Sequence, residues 1–199
     1  MLKTENNICG AILAGGKGRR IGYPKAQLRI GGERVIDRVV DTMKGIFEEV
    51  LVVVNDREDF PGKAKVSVVE DLIPGRGPLA AIYTALKLSS REKIFVAAGD
   101  MPFLQADLIR RLLDISRRED YDCVIPRNEE GYEPLHAVYS ANALDEFERA
   151  SRGDDLSIWA AFSRLNTLYV DTTPGERRSF FNINTPDDLK LAIQPLDIR

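Results

Sequence analysis

The richest chemistry in the sequence lies in Leu13-Ala14-Gly15-Gly16-Lys17-Gly18-Arg19-Arg20-Ile21-Gly22, with Pro24-Lys25 close behind. Glycines let backbone N–H groups approach phosphate oxygens, and neighbouring cations offset the phosphate charge. Arg19 and Arg20 suit bidentate phosphate contacts, whereas Lys25 suits a point charge on a triphosphate. Two common phosphate-binding patterns do not fit. A dinucleotide fingerprint needs a third glycine where Ile21 stands, and a P-loop needs Ser or Thr where Gly18 stands. Asp100 is the candidate metal ligand, since Mg²⁺ takes one or two protein carboxylates and fills its shell with phosphates and water. Asn55 carries an amide that both donates and accepts, which suits a polar ring edge or a sugar hydroxyl. The turn Gly77-Pro78-Leu79 reads as a helix start, with Pro78 in the first turn. Asn182 and Asn184 flank Ile183 at strand spacing and so share one face.

These residues need a frame, and the apolar patterning supplies one. Ile8 to Leu13, Val50 to Val54 and Ile94 to Ala98 are continuous apolar runs, the mark of strands buried on both faces. Val66, Val68 and Val69 predict a shorter strand, and Cys123 to Ile125, Leu135 to Tyr139 and Leu168 to Val170 predict three more. Helical spacing relates Val35, Ile36, Val39, Val40, Met43, Ile46 and Phe47, then Leu79 to Leu86, then Leu104 to Leu113. Leu144 to Ala150 and Leu156 to Phe162 predict helices further on, with Trp159 and Phe162 expected in the core. Thr185-Pro186-Asp187-Asp188 reads as a helix start, with Thr185 as cap and an acidic residue three positions later. Strand and helix alternate, which predicts a three-layer α/β/α fold around a mostly parallel sheet. No linker or internal repeat is visible, so residues 1–199 read as one domain. The glycine-rich loop, Asn55 and Asp100 each follow a strand, where open α/β sheets bind ligands.

The loop from Leu13 to Gly22 resembles the signature of the nucleotidyltransferase superfamily that activates sugars and cofactors. More narrowly, the chain is similar to the molybdenum cofactor guanylyltransferases. Pro74-Gly75-Arg76-Gly77-Pro78-Leu79-Ala80-Ala81, Gly99-Asp100-Met101-Pro102-Phe103-Leu104 and Phe181-Asn182-Ile183-Asn184-Thr185-Pro186 follow in the family's order, and the likeness spans about residues 8 to 193. The resemblance implies a Rossmann-like nucleotidyltransferase fold and a Mg²⁺-dependent transfer of GMP from GTP to the terminal phosphate of molybdopterin, with release of pyrophosphate. It implies that Leu13, Ala14, Gly15, Gly16, Lys25, Asn55, Asp71, Gly77, Pro78, Leu79 and Asp100 meet the nucleotide. Lys25 and Asp100 would be catalytic, Asp100 would bind the metal, and Asn182 and Asn184 would face the acceptor. It also implies transient contact with cofactor-biosynthesis or molybdoenzyme-maturation proteins. Two positions depart from the family pattern: Pro24 stands where an acidic residue is common, and Ala81 where glycine is common. A related transferase moving CMP or another nucleotide onto a cofactor or sugar phosphate therefore stays open, as does a non-catalytic GTP-binding module.

Composition narrows the remaining choices. Lys plus Arg number 28 and Asp plus Glu 31, for a net charge of −3. That balance argues against nucleic acid or an anionic membrane as partner. Two distant cysteines, Cys9 and Cys123, form no CxxC pair, so thiolate zinc and thioredoxin chemistry drop out. They are expected as buried free thiols in a reducing cytosol. His136 is the one histidine, and its apolar setting predicts a hydrogen-bonded structural role. No apolar run is long enough to span a membrane, and the polar N-terminus does not resemble a signal peptide, so a cytoplasmic enzyme is expected.

Overall fold

The computed structural model describes residues 7–15, 28–60 and 66–194. The expectations placed on Gly16 and Lys25, and on Lys17, Gly18, Arg19, Arg20 and Pro24 around them, lie outside those residues. In chain order the elements are β1 (Ile8–Leu13), β2 (Arg29–Ile30), β3 (Glu33–Arg34), α1 (Val35–Lys44), β4 (Val50–Val54), β5 (Ser67–Glu70), α2 (Gly77–Leu88) and β6 (Lys93–Ala98). They continue with α3 (Ala106–Ser116), β7 (Cys123–Asn128), β8 (Gly131–Tyr132), β9 (His136–Ser140), α4 (Leu144–Ser151), α5 (Trp159–Phe162), β10 (Thr167–Asp171) and α6 (Pro186–Ile193).

The main sheet runs β10-β7-β9-β6-β1-β4-β5, with β8 also paired to β7. β1 pairs in parallel with both β4 and β6, β4 with β5, and β7 with β10. β9 is antiparallel to both its neighbours, β6 and β7. The link from β7 back to β9 is too short for a crossover helix, and a short return can only pair antiparallel.

Alternation along the strands divides the core into two layers. Ile8 and Ile12 of β1, Val52 and Val54 of β4 and Phe95 of β6 pack with α1 and α3. Cys9, Ala11 and Leu13, with Leu51, Val53, Ile94 and Val96, pack with α2 and α4 on the other face. Both faces of these strands are therefore covered, which is why their sequences are apolar throughout. Cys9 and Cys123 are buried and free, and burial pushes each thiol up to about 12. Among the described residues no helix is long and apolar enough to cross a membrane.

Three local expectations need correction. Helix α1 stops at Lys44, yet Ile46 and Phe47 stay buried because their N–H groups both turn back to the Met43 carbonyl, at 3.0 and 2.8 Å. Leu156 to Ile158 is not helical. The Asp155 carboxylate accepts the Ser157 N–H at 2.8 Å, a local turn that competes with the helix ladder. Trp159 is 44% exposed rather than in the core, set edge-on to Tyr132 and Phe162, whereas Phe162 is buried.

Candidate active site

A cavity of about 440 Å³ opens at the carboxyl ends of β1, β4, β5 and β6. From β1 the sheet is built outward to β4 and β5 on one side and to β6 on the other. That reversal leaves a crevice at the end of β1, the usual ligand position in such sheets.

Backbone hydrogen bonds carry the strand ladder one step into the loops. Ala14 donates to the Val53 carbonyl at 2.8 Å, Gly99 to Leu13 at 2.9 Å and Asp71 to Val54 at 2.8 Å. Leu13, Ala14, Gly15, Asn55, Asp71 and Asp100 are thereby held around one space, and each lines the cavity. The Ala14 N–H is thus committed to Val53 and is not open to a ligand. Asn55 reaches over the loop: its amide oxygen lies 3.2 Å from where a Cβ on Gly15 would stand.

Gly99 makes the seat for Asp100. A Cβ there would sit 2.8 Å from Ile36 Cδ1 and 3.4 Å from Ala14 Cα, so a larger residue would require the Ile36 side chain to move. Asp100 is 7% exposed, and its backbone carbonyl accepts the Ile183 N–H at 3.1 Å. That bond ties the chain's last segment to the cavity. Ile183 is buried with Leu28, Ile30 and Val35, so alternation turns Asn182 and Asn184 to the opposite side, and both line the cavity. The Asn182 amide donates to the Phe180 carbonyl at 2.9 Å. The Asn184 and Thr185 N–H groups both bond Asp188, which holds the Asp188 carboxyl below its usual range.

Gly75 and Gly77 have φ of +82° and +71°, a region that side chains disfavour, so the loop between β5 and α2 requires glycine at both places. Arg76 between them donates to the Gly153 carbonyl at 2.8 Å and anchors this loop to the turn after α4. Gly77 and Pro78 line the cavity, but the Leu79 side chain is buried among α2 and sheet residues and can contribute only backbone. Ala81 lines the cavity as well. So do Ile36 and Leu135, which no local sequence signal marks.

Asp71 also has a structural task. Its Oδ1 accepts the Thr84 hydroxyl at 2.8 Å and the Ile73 N–H at 3.1 Å, while Thr84 Oγ1 accepts the Leu72 N–H at 3.0 Å. Thr84→Val keeps the shape and removes both hydroxyl bonds. A loss of about 1–3 kcal/mol is expected, read as a lower urea midpoint at unchanged slope. An unmoved midpoint would show that the Thr84 hydroxyl does not hold Asp71.

Among the described lining residues Asp71 and Asp100 are acidic and none is basic. Two carboxylates in one cavity wall are oxygen donors of the kind a hard divalent cation takes. Among the described residues no group of three or more potential ligand side chains gathers, so the site does not suit an all-protein cage.

His136 is buried on β9 as a structural residue, but no described group bonds either ring nitrogen. Its ring stands perpendicular to those of Phe95 and Phe180, at 5.1 and 5.0 Å between centroids.

The family model for the MobA-like NTP transferase domain matches residues 10–167. A molybdenum cofactor guanylyltransferase from Desulfosudis oleivorans is 36% identical over 93% of this chain and 94% of that protein. A probable molybdenum cofactor guanylyltransferase from Natranaerobius thermophilus is 35% identical over 94% of this chain and 95% of its own length. The chain belongs to the molybdenum cofactor guanylyltransferase family. The crystal structure of molybdopterin-guanine dinucleotide biosynthesis protein A from Archaeoglobus fulgidus superimposes with a TM-score of 0.83 at 34% identity, covering 93% of this chain and 96% of that one. The nucleotidyltransferase fold of this family is thus the three-layer arrangement described above. Described residues of its motifs, from Leu13 to Asn184, line one cavity here.

Proposed function

We propose that this guanylyltransferase joins GMP from GTP to the terminal phosphate of molybdopterin and releases pyrophosphate, using Mg²⁺. The observation that carries the reading is the convergence of Gly15, Asp100 and the Asn182–Asn184 pair on one cavity. A phosphate-binding loop, a buried carboxylate and a polar face from the chain's far end then share a single space, as a two-substrate transfer requires.

An acceptor phosphate oxygen attacks the α-phosphorus, and the bond from that phosphorus to the leaving pyrophosphate breaks. The attacking oxygen is already an anion, so the protein needs neither a nucleophile nor a general base. Its work is positioning and charge neutralisation. Gly15 offers its N–H to phosphate, Asn55 and the Gly77–Pro78 turn face the nucleoside, and Lys25 is the residue to bring a cation. Asp100 is the residue to hold Mg²⁺, with Asp71 in the same wall; the bound ion would supply positive charge against the phosphates.

GTP with Mg²⁺ is expected to raise the melting temperature more than ATP, CTP or UTP, since a ligand that binds only the native state stabilises by mass action. Pyrophosphate release should then require GTP and molybdopterin together. A larger shift with CTP would move the donor to cytidine and make Pro24 and Ala81 the residues to exchange.

A further inference from the structure

A second cavity, of about 510 Å³, is walled by Phe103, Asn128, Glu133, Arg177, Arg178 and Phe181, among others. It adjoins the first. Three separate segments place one residue in each wall: Asp100 and Phe103, Leu135 and Glu133, Asn182 and Phe181. Members of a pair stand one to three positions apart, so at most about 4–11 Å of chain separates the two walls at three places. The sheet order also gives the pair of cavities a direction. Asn55 and Gly77 follow β4 and β5 on one side of β1, whereas Asn128 and Glu133 belong to the β7–β9 side beyond β6. Asp100 and Gly15 lie between.

The second wall has its own chemistry. Arg178 holds its guanidinium 4.0 Å from the centre of the Phe103 ring, and Phe181 lies 5.8 Å from Phe103 between centroids. Together they form a surface on which a planar heterocycle can stack. Asn128 donates its amide N–H to Glu133 Oε1 at 3.1 Å. Asn128 is itself fixed, since its Oδ1 accepts the N–H groups of Glu130 and Gly131 at 2.7 and 3.0 Å. One amide bond leaves most acceptor sites of a carboxylate unused. Burial, with the Glu130 charge adding to it, raises the Glu133 pKa, as expected for a carboxylate short of donors.

We propose that this second cavity holds the pterin ring of the acceptor, with Glu133 receiving its amino and ring N–H donors and the Arg178–Phe103 pair stacking on its face. The proposal rests on the guanylyltransferase reading above. A 2-amino-4-oxopyrimidine edge presents two adjacent donors that match the two oxygens of a carboxylate. Guanine carries the same edge. Placement favours the pterin, because the nucleoside wall at Asn55 and Gly77 is on the opposite side of Asp100. An acceptor ring on the β7–β9 side could send its phosphate toward the first cavity without crossing the nucleoside.

The test titrates the full chain with free pterin, followed by the ligand's own fluorescence, with and without saturating GTP. Saturable binding that survives GTP is expected. Glu133→Gln and Arg178→Ala should each weaken it by about tenfold or more, with GTP affinity held within about twofold. In turnover assays the KM for molybdopterin should rise and the KM for GTP should not. Displacement of pterin by GTP, no saturable binding, or wild-type affinity in both variants would overturn the proposal. So would a Glu133→Gln protein that loses GTP rather than pterin, for then the cavity reads guanine. If pterin binding depends on Glu133 while the native protein releases no pyrophosphate from GTP and molybdopterin, the pocket stands and the guanylyltransferase reading falls.

Discussion

Asp100→Asn is expected to lower pyrophosphate release by about 10²–10³-fold at saturating GTP and molybdopterin, the usual cost of losing one well-placed electrostatic element. Asparagine keeps the size and one oxygen, but it removes the negative charge that would hold a divalent cation. Mg²⁺ is bound through few protein ligands, so the Mg²⁺ concentration for half-maximal activity should rise steeply. Nucleotide affinity should fall much less, because the loop at Gly15 and the wall at Asn55 and Gly77 are unchanged. The fold should also survive. It is the Asp100 backbone carbonyl, not the carboxylate, that accepts the Ile183 N–H, and Gly99 still seats the residue. Release within about threefold of the native rate would reduce Asp100 to a turn residue.

The second large effect concerns acid stability. Burial lowers the His136 pKa to about 3, against an ordinary value of 6.5 in the unfolded chain. Above pH 6.5 neither state protonates the ring. Below it the unfolded chain takes up a proton that the native state refuses, so stability falls as pH falls. The slope is about 1.4 kcal/mol per pH unit, continuing until the native ring also titrates near pH 3. The full window amounts to roughly 4–5 kcal/mol. His136→Leu removes the proton site and also the buried ring nitrogens that no described group satisfies. The variant should therefore equal or exceed the native protein by about 1–2 kcal/mol at pH 7.5. Its advantage should widen by about 2–3 kcal/mol at pH 4.5. Urea midpoints at the two pH values measure both. Parallel pH curves for the two proteins would mean that His136 titrates normally in the native state.

Much of this protein was legible in its residues. β1, β4 and β6 follow from apolar runs, since a strand buried on both faces has no polar position to blur its ends. The cap at Thr185 follows from side-chain chemistry within four residues, and the structure shows the reciprocal bonds with Asp188. Asp100 and the Asn182–Asn184 face were visible because each is a local pattern, the first just past the end of β6 and the second in the extended stretch before α6. Where helical spacing misled, a short-range competitor had won, as the Asp155 turn did over Leu156 to Ile158.

Strand order was not local, and only the tertiary structure decided it. β9 enters between β6 and β7, and its pairing with β6 joins residues 39 to 47 positions apart through backbone bonds that no side-chain period encodes. That insertion brings Leu135 to the first cavity and Glu133 to the second one. It also buries His136 against Phe95 and Phe180, from distant parts of the chain, so its aromatic surroundings could not be foreseen. Asp71 divides its carboxylate between the cavity wall and Thr84 for the same reason, since α2 must first pack on the sheet before the hydroxyl arrives. The sequence by itself determined which groups stand at the strand ends, because residue type and short-range spacing are covalent facts. Which of those groups share a cavity was left to long-range pairing, whose free energy comes from burying two apolar faces of the sheet rather than from any residue in the site.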